Sequence, residues 1–150
     1  MAKGITVVIP ESWVEGRPKD APGLPPGAAF STWEPKDPKV DGPVNLVIID
    51  FTTDKPADPK GTILSTYKGS PGNTVKGRPK ALAEPSCVAQ GTASVCSVPV
   101  KDESNGSGVD RVMVFQGKRI TQLDFIIPPD LADGLMPQLL EMAATVKVGG

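Results

Sequence analysis

The chain has 150 residues, with 16 basic and 17 acidic side chains, a formal net charge of −1 and no histidine. Such balance gives no electrostatic drive toward nucleic acid or an anionic membrane surface. The missing imidazole removes Ser-His-Asp and Cys-His catalysis, His-containing zinc sites and a neutral-pH switch.

The length suits one domain over residues 1–150. Sixteen glycines and 17 prolines argue for long irregular connections between its elements. No run approaches the roughly eighteen apolar residues of a membrane helix. Met1-Ala2-Lys3-Gly4 leads directly into Ile5-Thr6-Val7-Val8-Ile9, a β-branched strand that Pro10 ends. This start fits a cytosolic protein, or an exported one whose signal or lipobox has been removed. Glu11-Ser12-Trp13-Val14 reads as a turn that lays an indole on the edge of the core. Residues 15–43 form a long Pro/Gly-rich loop, with a strand expected within it at Ala28–Trp33.

Val44–Phe51 is apolar and β-branched almost throughout, the mark of a central strand. Residues 54–61 read as a connection. Ile63–Tyr67 is compatible with strand or helical turn. Lys68–Arg78 is a basic Gly/Pro-rich loop without the Gly-Lys-Ser/Thr order of a phosphate loop, and Pro79–Leu82 leads into the next strand.

Residues 86–100 predict a hairpin turning at Gly91-Thr92. Counting outward pairs Gln90 with Ala93, Val88 with Val95, and Cys87 with Cys96. The cysteines then occupy a non-hydrogen-bonded pair, with Cα atoms about 4.5 Å apart. A disulfide needs roughly 4.4–6.8 Å, so a Cys87–Cys96 bond is expected, and with it an oxidising compartment. Two reduced, core-packed cysteines are the alternative. Residues 101–110 read as a polar hairpin loop. Its acids Asp102, Glu103 and Asp110 lack the spacing of a calcium loop, and Asn105-Gly106-Ser107 is a glycosylation triplet of the kind common by chance.

Residues 109–127 predict a second hairpin, turning at Gly117-Lys118. It sets Val112 opposite Leu123 and Val114 opposite Thr121, giving an apolar face with Phe125 and Ile127. The other face carries Met113, Phe115 and Ile120, and an Arg111–Asp124 ion pair. The following segment places Leu131, Leu135, Leu139, Met142, Ala143 and Val146 on one helical stripe, fit to cover a sheet. Asp130 is the expected N-cap, and Pro137 is expected to kink or restart the helix. The predicted fold class is therefore α+β: an antiparallel sheet covered by a C-terminal helix.

No catalytic, cofactor or metal signature emerges. Asp50, Asp54, Asp58 and Asp124 are acids that a fold could bring together, with a solvated face as the plainer reading. Trp13 and Trp33 are candidate contacts for a partner or ligand surface, against the plainer role of core packing.

The Ile5–Pro10-Glu11-Ser12-Trp13 opening and the closing strand Lys118–Pro128 with its helix resemble the α/β/α superfamily of the photosystem PsbP proteins and the yeast Ran-binding import factor. The paired cysteines and Pro/Ala-rich loops are most similar to the actinobacterial LpqN-type lipoproteins. Ser12 stands where that opening has Gly, and no helix is visible after the Trp turn. The resemblance implies an adaptor, accessory or binding module without an active site, and for the LpqN branch export to the cell envelope. It carries no functional residue onto this chain. The expected function is non-catalytic recognition of a protein partner or a small apolar ligand. A secretion or assembly accessory (a chaperone) and a His-independent hydrolase are the alternatives.

Overall fold

A computed structural model describes residues 4–16, 27–37, 39, 44–68, 79–81, 83–102 and 107–149. Ten strands and two helices are named in chain order. The strands are β1 (Ile5–Thr6), β2 (Trp13–Gly16), β3 (Ala29–Pro35), β4 (Asn45–Thr52), β5 (Pro79–Ala81), β6 (Ser86–Gln90), β7 (Ala93–Asp102), β8 (Gly108–Gln116), β9 (Arg119–Ile127) and β10 (Lys147–Val148). Helix α1 spans Pro59–Lys68, between β4 and β5. Helix α2 spans Ala132–Ala143, after β9.

Strands β2-β3-β4-β9-β8-β7-β5 lie in that spatial order, with β6 also pairing β7, and every pairing is antiparallel. Strands β1 and β10 form a separate two-stranded ribbon. The expected strand over Ile5–Ile9 is thus shorter, because the Val8 N–H leaves the ribbon to donate to Thr145 Oγ1 at 2.9 Å.

Both hairpin registers follow from their turns. Gly91 and Gly117 have φ of 63° and 62°, and no described non-glycine residue has positive φ. Glycine at the first central position is what a type II′ turn requires. Counting from these turns pairs Cys87 with Cys96, Val112 with Leu123, and Arg111 with Asp124. Cys87 and Cys96 are disulfide-bonded, their Cα atoms 4.0 Å apart.

Strand alternation then builds two apolar layers, one per face of the sheet. On one face Leu46, Ile48, Val112, Val114, Leu123, Phe125 and Ile127 meet Leu139, Ala143 and Val146 at and just beyond α2. On the other, Cys96, Val98, Val100, Met113, Phe115 and Ile120 surround Ile63 of α1. The second face is therefore covered by a helix over β5, β7 and β8, in a segment whose beginning reads in the sequence as a connection. Asp58 starts that helix: its carboxylate accepts from Gly61 N at 3.0 Å, and Pro59 occupies the first helical position.

Three expectations about α2 are corrected. Asp130 is not its N-cap: Pro129–Leu131 form a 3-10 turn held by Leu131 N donating to Pro128 O, and the cap position falls on Leu131 without a side-chain cap bond. The helix does not restart at Pro137 but runs through it as one segment, with that residue on the solvent side. Leu131 is 40% exposed, because it belongs to the turn and not to the covering stripe. The side chain of Leu135 lies outside the described residues, as do residues 69–78 of the basic loop and Asn105-Gly106 of the glycosylation triplet.

Candidate functional site

Helix α2 packs over β8 and β9, so the same face of β6 and β7 continues past it without a roof among the described residues. Alternation turns Ser86 and Val88 of β6, Val95, Ser97 and Pro99 of β7, and Asp110 and Val112 of β8 toward that side. Leu140, Ala143 and Ala144 form the opposing wall. The result is a groove of 280 Å³. Gln90 closes one end by holding the C-terminal segment: its Oε1 accepts from Val148 N at 2.9 Å, and its Nε2 donates to Val146 O at 3.5 Å.

The groove is apolar in its walls, and two of its side chains stand out for exposure: Val88 at 58% and Leu140 at 41%. Among the described residues its one acid is Asp110, 2% exposed, whose Oδ1 is buried with no hydrogen-bond partner. The cross-strand neighbours of Asp110 are Pro99 and Phe125, neither of which offers a side-chain donor. Burial, and secondarily the charge of Asp124, pushes the Asp110 carboxyl up to about 6 from 3.8.

Two other acids on the sheet, Asp50 and Asp124, are satisfied. Arg119 Nε and Nη2 each donate to Asp50 at 2.9 Å, and Thr121 Oγ1 adds a bond of 2.8 Å. Burial alone would raise the Asp50 carboxyl, but these bonds and the Arg119 charge hold it below its ordinary value. Arg111 donates to Asp124 at 2.8 and 3.0 Å through Nε and Nη2, and Gln122 adds a bond of 2.9 Å. Alternation sets Asp50 and Asp124 on opposite faces, and Asp58 caps α1, so these acids do not assemble into a pair.

Asp110 itself corrects the sequence reading. It is a buried strand residue and not part of a loop, while the Asp102 side chain and Glu103 lie outside the described residues. A signal was present. The alternation that puts Arg111 opposite Asp124 on one face puts Asp110 with Val112 and Val114 on the other.

Trp13 lies in the core on the α2 side, 7% exposed, and Trp33 packs half-buried against the same cluster with its Nε1 buried and unbonded. Neither indole lines the groove. A second groove, of 430 Å³, opens on the opposite face over β2, β3 and β4, where Phe30, Thr32, Val47 and Ile126 form its floor and Glu34 its rim.

No family model and no curated protein sequence matches the chain. Solved structures do. The solution structure of cyanobacterial PsbP (CyanoP) from Synechocystis sp. PCC 6803 superposes with a TM-score of 0.63 at 13% identity, covering 97% of this chain and 86% of that one. The crystal structure of LpqN, involved in cell envelope biogenesis of Mycobacterium tuberculosis, superposes with a TM-score of 0.50 at 17% identity, covering 97% and 83%. The antiparallel sheet, its terminal helix and these superpositions together show that the chain has a PsbP-like α+β fold, related to that of LpqN.

Proposed function

We propose that the protein is a non-catalytic binding or accessory domain of an exported or envelope-located protein, and that it holds a small apolar ligand in the groove beside α2. The observation that carries this reading is the groove itself, an apolar recess with exposed Val88 and Leu140 at its mouth and one buried polar group at its base. Ligand sites commonly combine apolar walls with a few placed polar groups, and 280 Å³, just below their usual lower bound of about 300 Å³, suits a small ligand. Export is supported by the Cys87–Cys96 bond, since disulfides persist mainly in oxidising compartments. It is also supported by the likeness to LpqN, a protein of cell envelope biogenesis.

The test is an amide-resolved NMR titration of the folded protein with a panel of small apolar compounds. Shifts clustered on Val88, Val95, Leu140 and Ala144 are expected. Shifts confined to other surfaces, or none at millimolar concentrations, would contradict the reading.

A further inference from the structure

The groove contains a group that an apolar ligand alone would leave unpaired. Asp110 is buried beneath the wall formed by α2, and its Oδ1 has no hydrogen-bond partner. A buried acceptor without a partner costs about 1–3 kcal/mol, more when charged. Among the described residues no cation pairs with Asp110 Oδ1: Arg111, adjacent in sequence, points through the opposite face to Asp124, Arg119 is engaged by Asp50, and Lys101, on the same face two positions along β7 from Pro99, is exposed. The remaining groove side chains of β6 and β7 contribute hydroxyls, an amide and apolar groups, and Leu140, Ala143 and Ala144 carry no charge. Asp110 is thus a fixed acceptor at the base of an apolar recess.

We propose that the groove recognises an organic ammonium: a cationic amine carried on a compact apolar body, with the ammonium donating to Asp110 and the body resting against Val88, Val95, Leu140 and Ala144. This rests on the reading of the groove as a ligand site. The ammonium supplies both the missing donor and the missing charge, and a hydrogen bond between ionised groups is roughly twice as strong as a neutral one. A carboxylate or phosphate ligand is disfavoured by the same argument, because it would meet an acid and find no cationic side chain in the groove lining. The shared chemistry admits two sources, a free amine or the lysine side chain of a protein partner. The breadth of the apolar wall favours the former, since a lysine stem is a single chain of methylenes.

The experiment compares phenethylamine, its neutral counterpart phenethyl alcohol, and Nα-acetyl-lysine amide, titrated at neutral pH into the wild type and into Asp110→Asn and Val88→Lys, with binding followed by NMR shifts. Phenethylamine should shift groove residues and bind more tightly than the alcohol. Asp110→Asn should weaken the amine by roughly tenfold or more and leave the alcohol nearly unchanged. Val88→Lys, at an exposed position, should weaken the amine through like-charge repulsion without unfolding the protein. Tighter binding of the lysine amide would retain the carboxylate–ammonium pairing and assign it to a protein partner. Alcohol and amine binding equally, or an amine indifferent to Asp110→Asn, would overturn the ammonium assignment while leaving the groove a ligand site. Binding of none of the three would overturn both.

Discussion

Asp50 and Asp110 sit on the same face of one sheet, yet their surroundings treat them oppositely. Asp50 receives a two-pronged bond from Arg119 and a third from Thr121, and its carboxyl is held below the ordinary range. Its contribution to stability is present above the ordinary carboxylate pKa and is lost as pH falls through its lower folded value. Asp110 has no such partner, and its carboxyl is raised to about 6. Its contribution is complete below the unfolded value near 3.8, and it is lost as pH rises through 6. The groove groups facing it from β6, β7 and α2 (Ser86, Pro99, Leu140 and Ala144) are uncharged, Lys101 of β7 is an exposed cation on the same face, and Asp124 is the acid whose charge adds to its shift. Asp110→Asn should therefore stabilise the protein near neutral pH by up to about 3 kcal/mol, with the gain shrinking toward zero in mild acid. Denaturant unfolding of both proteins across that interval measures it; a gain independent of pH would mean that Asp110 is not the titrating group.

At the scale of elements, two cross-strand links hold the outer ribbon and the centre of the sheet. The Cys87–Cys96 bond closes a short loop, and in the chain-entropy model such a closure contributes about 2.7 kcal/mol. Reduction, or paired substitution by serine, should lower the melting temperature by several degrees, readable in a calorimetric scan with and without reductant. The Arg111–Asp124 fork joins β8 to β9, with side chains only 16% and 11% exposed. Asp124→Ala removes the carboxylate that this largely buried guanidinium forks onto and should cost more than the loss of an exposed pair, up to about 3–5 kcal/mol. Both links were legible in the sequence, because a two-residue turn with a leading glycine fixes every pair by counting. Helix α1 was not. It is ten residues long, begins on Pro59 and includes Gly61 and the β-branched Thr62 and Ile63, so neither propensity nor period marks it. Its usable signal is local, the Asp58-Pro59 start. Asp110 escaped for a related reason: the polar residues before it extend the look of a loop into the first turn-proximal residues of β8.

In the whole molecule, one sheet is only partly roofed on the α2 side. Helix α2 covers β8 and β9 but stops short of β6 and β7, and this shortfall creates the groove. Leu139 and Leu140 are adjacent in sequence and divide these roles. Leu139→Ala removes a side chain 2% exposed from the core and should cost about 2–5 kcal/mol. Leu140→Ala should change stability little while weakening any groove ligand, and equilibrium unfolding of the two variants separates the effects. The superpositions on CyanoP and LpqN show a PsbP-like fold, and the unpaired acid beside the helix is a feature of this chain. The most direct measurement is an NMR titration of the Asp110 carboxyl carbon, free and with saturating phenethylamine. A midpoint near 6 is expected in the free protein, moving well down when the ammonium is bound. An ordinary carboxylate midpoint, unmoved by the amine, would contradict it.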